Sequence, residues 1–246
     1  MAEQSESAYE AFLGERRARI MERVAGAARR SGRATGDVLV EAVSKTVDVP
    51  AVVDAVHVGY DTFGENRPQE LTRKLAGLAS VPEAQPVRFD MIGNLQTNKI
   101  NQVLGHVGLI HSVSSLHLAQ AVSKRAVAHG LVEPILLEIN VSGEESKSGM
   151  SCDQAVASLD EVLALPGLSL QGLMTMAPRD EPDEARRTFS GLRGLVEDLR
   201  GRSGLALPVL SCGMSDDFQI AIEEGSTLVR LGRVVFSEDY TFDADR

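Results

Sequence analysis

Short apolar segments of the kind that form strands alternate along the chain with longer segments of helical periodicity. The strand candidates are rich in β-branched residues, and turn residues bound most of them. Eight strands are predicted, over residues 38–44, 57–62, 88–92, 108–112, 134–141, 169–175, 208–211 and 227–231.

Helices are predicted before the first strand and in most of the segments between strands. The first covers about residues 5–31, where Ile20, Met21 and Val24 lie at helical spacing, and Gly32 ends it. Several later segments also close with a glycine, as helix C-caps do. The later segments of helical pattern read RPQELTRKLAGLA, SSLHLAQAVSKRAVAHG, SCDQAVASLDEVLALPG, EPDEARRTFSGLRGLVEDLRGRSG and SDDFQIAIEEG.

Alternating strands and helices predict parallel strands joined by right-handed crossovers, and eight such units are enough to close a barrel. An open doubly wound sheet is the alternative. The barrel is preferred because no G-x-G-x-x-G motif follows the first strand, where a dinucleotide-binding sheet would carry it. We therefore predict an α/β fold, a single-domain (β/α)8 TIM barrel over residues 1–246, with an extra N-terminal helix.

Composition and charge exclude several classes of protein. The net charge of −10 and pI of about 5.0 disfavour binding to nucleic acid or to anionic membranes. No apolar run approaches the roughly 18 residues that a membrane-spanning helix needs. The two cysteines, Cys152 and Cys212, are far apart and no signal peptide is evident, so we expect a cytoplasmic protein.

In such a barrel the functional residues lie at the carboxyl ends of the strands. The polar residues that follow the predicted strands include no nucleophilic triad and no motif with metal-ligand spacing. The histidines are interpreted as ordinary core or surface residues and metal chemistry is set aside: His57, His106, His111, His117 and His129.

The segments after the last two strands, SCGMSDD and RLGRVV, are suited to a phosphate. Ser215 is placed to cap the following helix, and the turns contain Gly213 and Gly232, which let main chain approach an anion. Arg233 adds a guanidinium that binds phosphate through two hydrogen bonds. The adjacent acidic pair DD, which would repel a phosphate, is equally compatible with simple helix capping, so both interpretations stay open.

Lys45 closes the first predicted strand, in phase with Val43 and Leu39. A lysine at a strand end is usually a surface group. If the strand belongs to a barrel, the amine points into the mouth, where it faces the glycine turns and could attack a carbonyl. Arg230 lies on the last strand in phase with Gly232, and either forms a structural salt bridge or points inward. A lysine opposite a phosphate cradle is what pyridoxal 5′-phosphate (PLP) requires.

These stretches resemble the pyridoxal phosphate homeostasis (YggS or PROSC) family. The similarity spans nearly the whole chain in the family's order, and the combination is far more specific than any one motif. The matching segments are AVSKT (42–46), FGEN with Gln69 and Glu70 (63–70), IGNLQTNK (92–99), HSVSSL (111–116), NVSGEESKSG (140–149), GLMTM (172–176) and LSCGMSDDFQIAIEEGSTLVRLGRVVF (210–236).

The resemblance implies a barrel similar to the N-terminal domain of alanine racemase, with PLP bound covalently as an internal aldimine on Lys45. It implies that Ser211 and main chain around Gly232 and position 233 hold the phosphate. It further implies that Arg230 lies near the pyridine ring, where its cation would keep the ring nitrogen unprotonated. Asn66 and Met214 would be neighbours of the cofactor.

Three positions depart from the family's pattern. Arg233 stands where a serine or threonine is common, which leaves open whether its side chain binds phosphate. Cys212 stands where methionine is usual, and SEDY follows Phe236 in place of the usual glycine-arginine ending. Contacts made by the family's C-terminal residues are therefore not carried over.

The resemblance implies a non-catalytic or feebly catalytic carrier that buffers PLP and delivers or withdraws it. We expect a monomer that binds PLP and related B6 vitamers, with PLP-dependent apoenzymes as candidate recipients. The alternatives are an amino-acid racemase with weak activity and an interaction protein without cofactor. Racemases of this fold take a second base, a tyrosine, from an extra β domain, for which this chain has no room. We cannot assign that role to any of its three tyrosines, Tyr9, Tyr60 and Tyr240.

Overall fold

The computed structural model describes residues 7–84, 87–144, 147–179 and 181–242. Within these residues, eight parallel strands form a closed barrel in sequential order, which confirms the predicted (β/α)8 architecture. The last strand pairs with the first, with Arg230 beside Glu41, and this pairing closes the barrel. The strands are β1 Leu39–Val43, β2 Thr62–Glu65, β3 Arg88–Met91, β4 Ile110–Val113, β5 Glu133–Glu138, β6 Leu168–Met174, β7 Val209–Ser211 and β8 Leu228–Leu231.

Helices precede β1 and follow each strand except β3, which a short 3-10 helix at Thr97–Gln102 follows. Parallel strands need such crossovers because a tight turn cannot join them. The α-helices of the described residues are α1 Ala8–Arg30, α2 Val49–His57, α3 Pro68–Leu78, α4 Leu116–Ala128, α5 Cys152–Ala164, α6 Pro182–Ser203, α7 Phe218–Glu223 and α8 Arg233–Phe236.

The extra helix α1 packs against the outer helices α2, α7 and α8. Its buried side chains include Leu13, Ile20 and Val24, which recur at helical spacing and form one apolar face. Ser7 is the N-cap and accepts a hydrogen bond from the Glu10 amide at 2.9 Å. The predicted start at residue 5 lies outside the described residues.

The prediction for the second strand was wrong in its bounds. Residue 57 ends α2, and β2 begins only at Thr62. Only residue 57 of the predicted strand is helical, at the end of α2, whose Val52 and Ala55 lie three residues apart and face the core. Gly59, with φ of +96°, then lets the chain turn toward β2.

Cys152 and Cys212 are both free thiols in the structure. Burial raises the pKa of the Cys212 thiol to about 12, with a smaller opposing effect from a hydrogen bond to Ser226. No described helix is long and apolar enough to cross a bilayer.

Candidate functional site

A cavity of about 580 Å³ lies at the carboxyl ends of the strands. Polar residues singled out from the sequence line it together with apolar side chains from β1 and from the segments after β3 and β6. The predicted residues on its surface are Lys45, Asn66, Met214, Arg230, Gly232 and Arg233, whereas Ser211 and Gly213 are not on its lining.

Lys45 is exposed and projects into this cavity from the end of β1. The preceding Ser44 fixes the strand end, because its amide donates to the Gly64 carbonyl at 3.1 Å and its hydroxyl to Glu65 Oε1 at 2.7 Å. Behind it the buried Lys74 ammonium bonds the Ser44 carbonyl at 2.5 Å and pairs with Glu65. The backbone that carries the Lys45 amine is therefore held rigidly while the amine itself remains accessible.

Asn66 lines the cavity just after β2, and its Oδ1 is buried without a hydrogen-bond partner among the described residues. A buried acceptor of this kind is costly unless a ligand or water completes it. Gly93 passes so close that a Cβ there would lie 2.3 Å from the Asn66 carbonyl oxygen, so only glycine fits. The backbone of Asn66 therefore packs closely against Gly93, while its side-chain Oδ1 is left as an open acceptor.

Arg230 is the buried cation of the cavity and is only 5% exposed. Its Nη1 donates to the carbonyl and hydroxyl oxygens of Ser211 at 2.8 and 2.6 Å, and its Nη2 to the Thr175 carbonyl at 3.0 Å. Burial lowers the pKa of the guanidinium, and the carboxylate of Glu41 opposes this shift. Arginine stays protonated nonetheless, so a cation is held here by three neutral oxygens.

Ser211 lies beneath the cavity and not on its surface. It is fully buried, and its Oγ accepts from Arg230 and lies 3.0 Å from His111 Nδ1. These contacts engage the hydroxyl that the resemblance assigned to the phosphate. In the described structure the side chain contacts Arg230 and His111.

Gly213 is a buried residue of the turn after β7 and has a φ of +95°. A Cβ at this position would lie 2.6 Å from the Ala221 Cβ and 3.0 Å from the Phe218 Cα. Glycine is therefore required for the close packing of this turn on α7.

Ser215 is a lining residue that the resemblance did not assign to the phosphate. Its Oγ accepts from the Val234 amide at 3.1 Å, which joins the turn after β7 to the start of α8. This contact places Ser215 beside Gly232, so that a hydroxyl and main chain face the same part of the cavity. The sequence signal was its position between a glycine turn and a helix.

The acidic pair beside this turn is already engaged. Asp216 forms an ion pair with Arg233 through Nη2 of the guanidinium. Asp217 Oδ1 accepts from the Met214 amide at 2.6 Å, and burial raises the pKa of its carboxyl. The N-cap of α7 is Asp217, whereas the sequence had predicted Ser215, and the Asp217 side chain makes no capping hydrogen bond to the helix.

Apolar side chains form the walls between the amine and the glycine turns. Val43, Ile92, Met176 and Met214 line the cavity, which makes a slot suited to a flat ring. Ile92 and Met176 were not singled out, although both fall in motifs noted in the sequence.

The tyrosines lie away from the lining described for this cavity. The Tyr9 hydroxyl donates to the Phe236 carbonyl at 2.9 Å, and the Tyr240 hydroxyl donates to the Ser215 carbonyl at 2.8 Å. Tyr60 is 4% exposed, and burial raises the pKa of its hydroxyl. In the described structure none of the three is presented to the cavity as an acid or base.

Comparison with known proteins connects this geometry to a family. Residues 21–239 match the family model of the alanine racemase N-terminal domain. PipY of Synechococcus elongatus, solved with PLP bound, superposes with a TM-score of 0.80 at 29% identity; the match covers 92% of this chain and 100% of PipY.

Two curated relatives are named pyridoxal phosphate homeostasis proteins. The protein of Aquifex aeolicus is 38% identical over 225 residues, covering 91% of this chain and 97% of the relative. That of Pseudomonas aeruginosa is 39% identical over 230 residues, covering 93% and 96%. The chain therefore belongs to the pyridoxal phosphate homeostasis family and has its barrel of the alanine racemase N-terminal type.

Proposed function

We propose that this protein binds PLP as a Schiff base on Lys45 and buffers or delivers the cofactor without acting as an efficient enzyme. The observation that carries the proposal is the joint presence, in one cavity, of the Lys45 amine, the Arg230 cation and the Ser215–Gly232 turn. Membership of the homeostasis family and the PLP-bound structure of PipY support it.

Each group has a distinct part in holding the cofactor. Lys45 Nζ would form the bond to the aldehyde carbon with loss of water, as amines do with carbonyl compounds. Ser215 and main chain at Gly232 and position 233 would bind the phosphate, and the open Asn66 acceptor would take a donor from the bound group. We assign Ser211 and Gly213 to supporting this site from below.

PLP supplies an electron sink when its ring nitrogen is protonated. Arg230 opposes that protonation, because a permanent cation beside the nitrogen disfavours a second positive charge. Arg230 lines the cavity, and its hydrogen-bond partners there are neutral oxygens. The site would therefore retain the cofactor while weakening its catalytic power.

The proposal is tested by titrating the purified protein with PLP and following the visible absorbance of the Schiff base. Borohydride reduction and mass spectrometry should then place the modification on Lys45. We expect Lys45→Ala to abolish the band and to lower PLP retained after gel filtration at least about tenfold. The exposed Lys124→Ala on α4 is the matched control and should behave as wild type.

An unchanged band in Lys45→Ala would contradict the assignment, and no band in the wild type would favour an interaction protein without cofactor. The racemase alternative requires exchange of the α-proton of amino acids in deuterated buffer. We expect no exchange at enzyme-like rates, because none of the three described tyrosines, the residue type that serves as second base in racemases of this fold, lines the cavity beside Lys45.

A further inference from the structure

Three groups of metal-ligand type meet inside the barrel, below the cavity. They are Glu41 on β1, Asp90 on β3 and His111 on β4, and all are fully buried. His111 also contacts Ser211 on β7, which lies across the sheet from β4. Side chains from strands that are not neighbours touch only in the lumen, so the three groups lie in the barrel interior.

The spacing of their ligand atoms suits a small cation. His111 Nε2 lies 3.4 Å from Asp90 Oδ2 and 3.6 Å from Glu41 Oε2, and all three atoms lie within 4.8 Å of one another. Ligand atoms about 2.1 Å from a tetrahedral zinc ion are about 3.4 Å apart. The gap between the atoms is therefore of the size that such an ion fills.

Glu41 is the independent observation that points to a ligand at this cluster. It is 0% exposed, and neither carboxylate oxygen has a hydrogen-bond partner among the described residues. A Cβ on Gly64 of the neighbouring strand would lie 1.9 Å from Glu41 Oε1. Position 64 therefore accommodates only glycine beside this carboxylate. A buried carboxylate without donors is strongly unfavourable unless a cation or proton compensates it.

Asp90 and His111 are each held in orientation by a further polar contact. Arg88 donates to both Asp90 oxygens at 2.8 and 2.9 Å, which leaves a second lone pair on Oδ2. His111 Nδ1 lies 3.0 Å from Ser211 Oγ, so the imidazole can donate there and present Nε2 to a metal. Such outer contacts are typical of histidines and carboxylates that ligate metals.

We propose that Glu41, Asp90 and His111 bind a divalent transition metal ion of the Zn²⁺ type in the barrel interior. One nitrogen and two carboxylate oxygens suit zinc, with the remaining position open. This site is separate from the proposed PLP site, although Ser211 connects His111 to Arg230.

The test is the metal content of the full chain produced in zinc-supplemented medium and dialysed before elemental analysis. We expect close to one zinc ion per chain, and visible ligand-field bands when Co²⁺ replaces zinc. Glu41→Gln, which keeps the size of the side chain, should reduce bound metal at least about tenfold. Glu138→Gln, a buried carboxyl near Arg230 but outside the three ligands, is the control and should retain it.

Zinc-free wild type together with no Co²⁺ bands would overturn the proposal and leave a proton as the compensating charge. Equal metal in wild type and Glu41→Gln would also overturn it. If Glu41→Gln does not fold, as judged by circular dichroism, the Co²⁺ spectrum of the wild type and its loss on adding Zn²⁺ decide the question. None of these readouts depends on PLP.

Discussion

At the scale of single residues, environment decides what each polar group can do. Lys45 is exposed in the cavity, whereas Lys74 is buried against Glu65 and the Ser44 carbonyl. The two amines are chemically alike, yet only the first is free to react with an aldehyde. The two serines differ in the same way: Ser211 is buried below the cavity, whereas Ser215 lies on its surface.

Cys212 offers a prediction at this scale, because burial raises the pKa of its thiol to about 12. Thiolate is the reactive form, so at pH 8 the native Cys212 should react about 1,000-fold more slowly with a thiol reagent than a thiol of ordinary pKa, 9.0. The measurement uses Cys152→Ser, which leaves Cys212 as the remaining thiol, with and without guanidinium chloride. Rapid reaction in the folded protein would contradict the expected burial.

At the scale of elements, the turns after β7 and β8 depend on close packing. Ser215 joins the first turn to α8, and Gly213 lets the same turn lie against α7. These contacts bring the end of β7 beside Gly232, although neither turn by itself forms a phosphate-binding site.

Gly213→Ala tests this packing. The positive φ and the 2.6 Å approach to the Ala221 Cβ should together destabilise the protein by about 2–4 kcal/mol. Gly194→Ala is the matched control, because it lies inside α6 with no atom within 4 Å of its added Cβ, and should stabilise by about 0.5–1 kcal/mol. Urea unfolding of both variants measures the difference; equal midpoints would show that the turn tolerates a side chain.

At the scale of the whole molecule, barrel closure buries carboxyl groups as well as apolar side chains. Glu133 on β5 is 2% exposed and accepts a hydrogen bond from the Gly105 amide at 2.6 Å. Burial raises the pKa of its carboxyl above the usual 4.5, against the smaller effect of that hydrogen bond. Ionisation of Glu133 therefore opposes folding.

The sign of the pH effect follows from this shift. The folded state favours the protonated carboxyl, so the contribution of Glu133 is most favourable below pH 4.5 and is lost as the pH rises through its folded pKa. Relative to wild type, Glu133→Gln should gain stability as the pH is raised from 4 to 8, measured by urea unfolding. The exposed Glu22→Gln should show no such trend, and a constant difference for Glu133→Gln would refute the assignment.

Much of the fold was predictable because strands and helices leave local patterns. The alternation of periodicities predicted the barrel, and most strand predictions overlap the observed strands. The second strand was placed too early, because the predicted segment holds the end of α2 and the turn at Gly59, and the buried strand begins only at Thr62.

The sequence by itself determined the barrel, the position of Lys45 at a strand end and the motifs that identify the family. Only the tertiary structure decided that Ser215 reaches the cavity while Ser211 supports Arg230, and that Glu41, Asp90 and His111 meet in the lumen. The physical reason is that closing the barrel unites residues far apart in the chain. Their distances, burial and charge balance depend on packing, which no local pattern specifies.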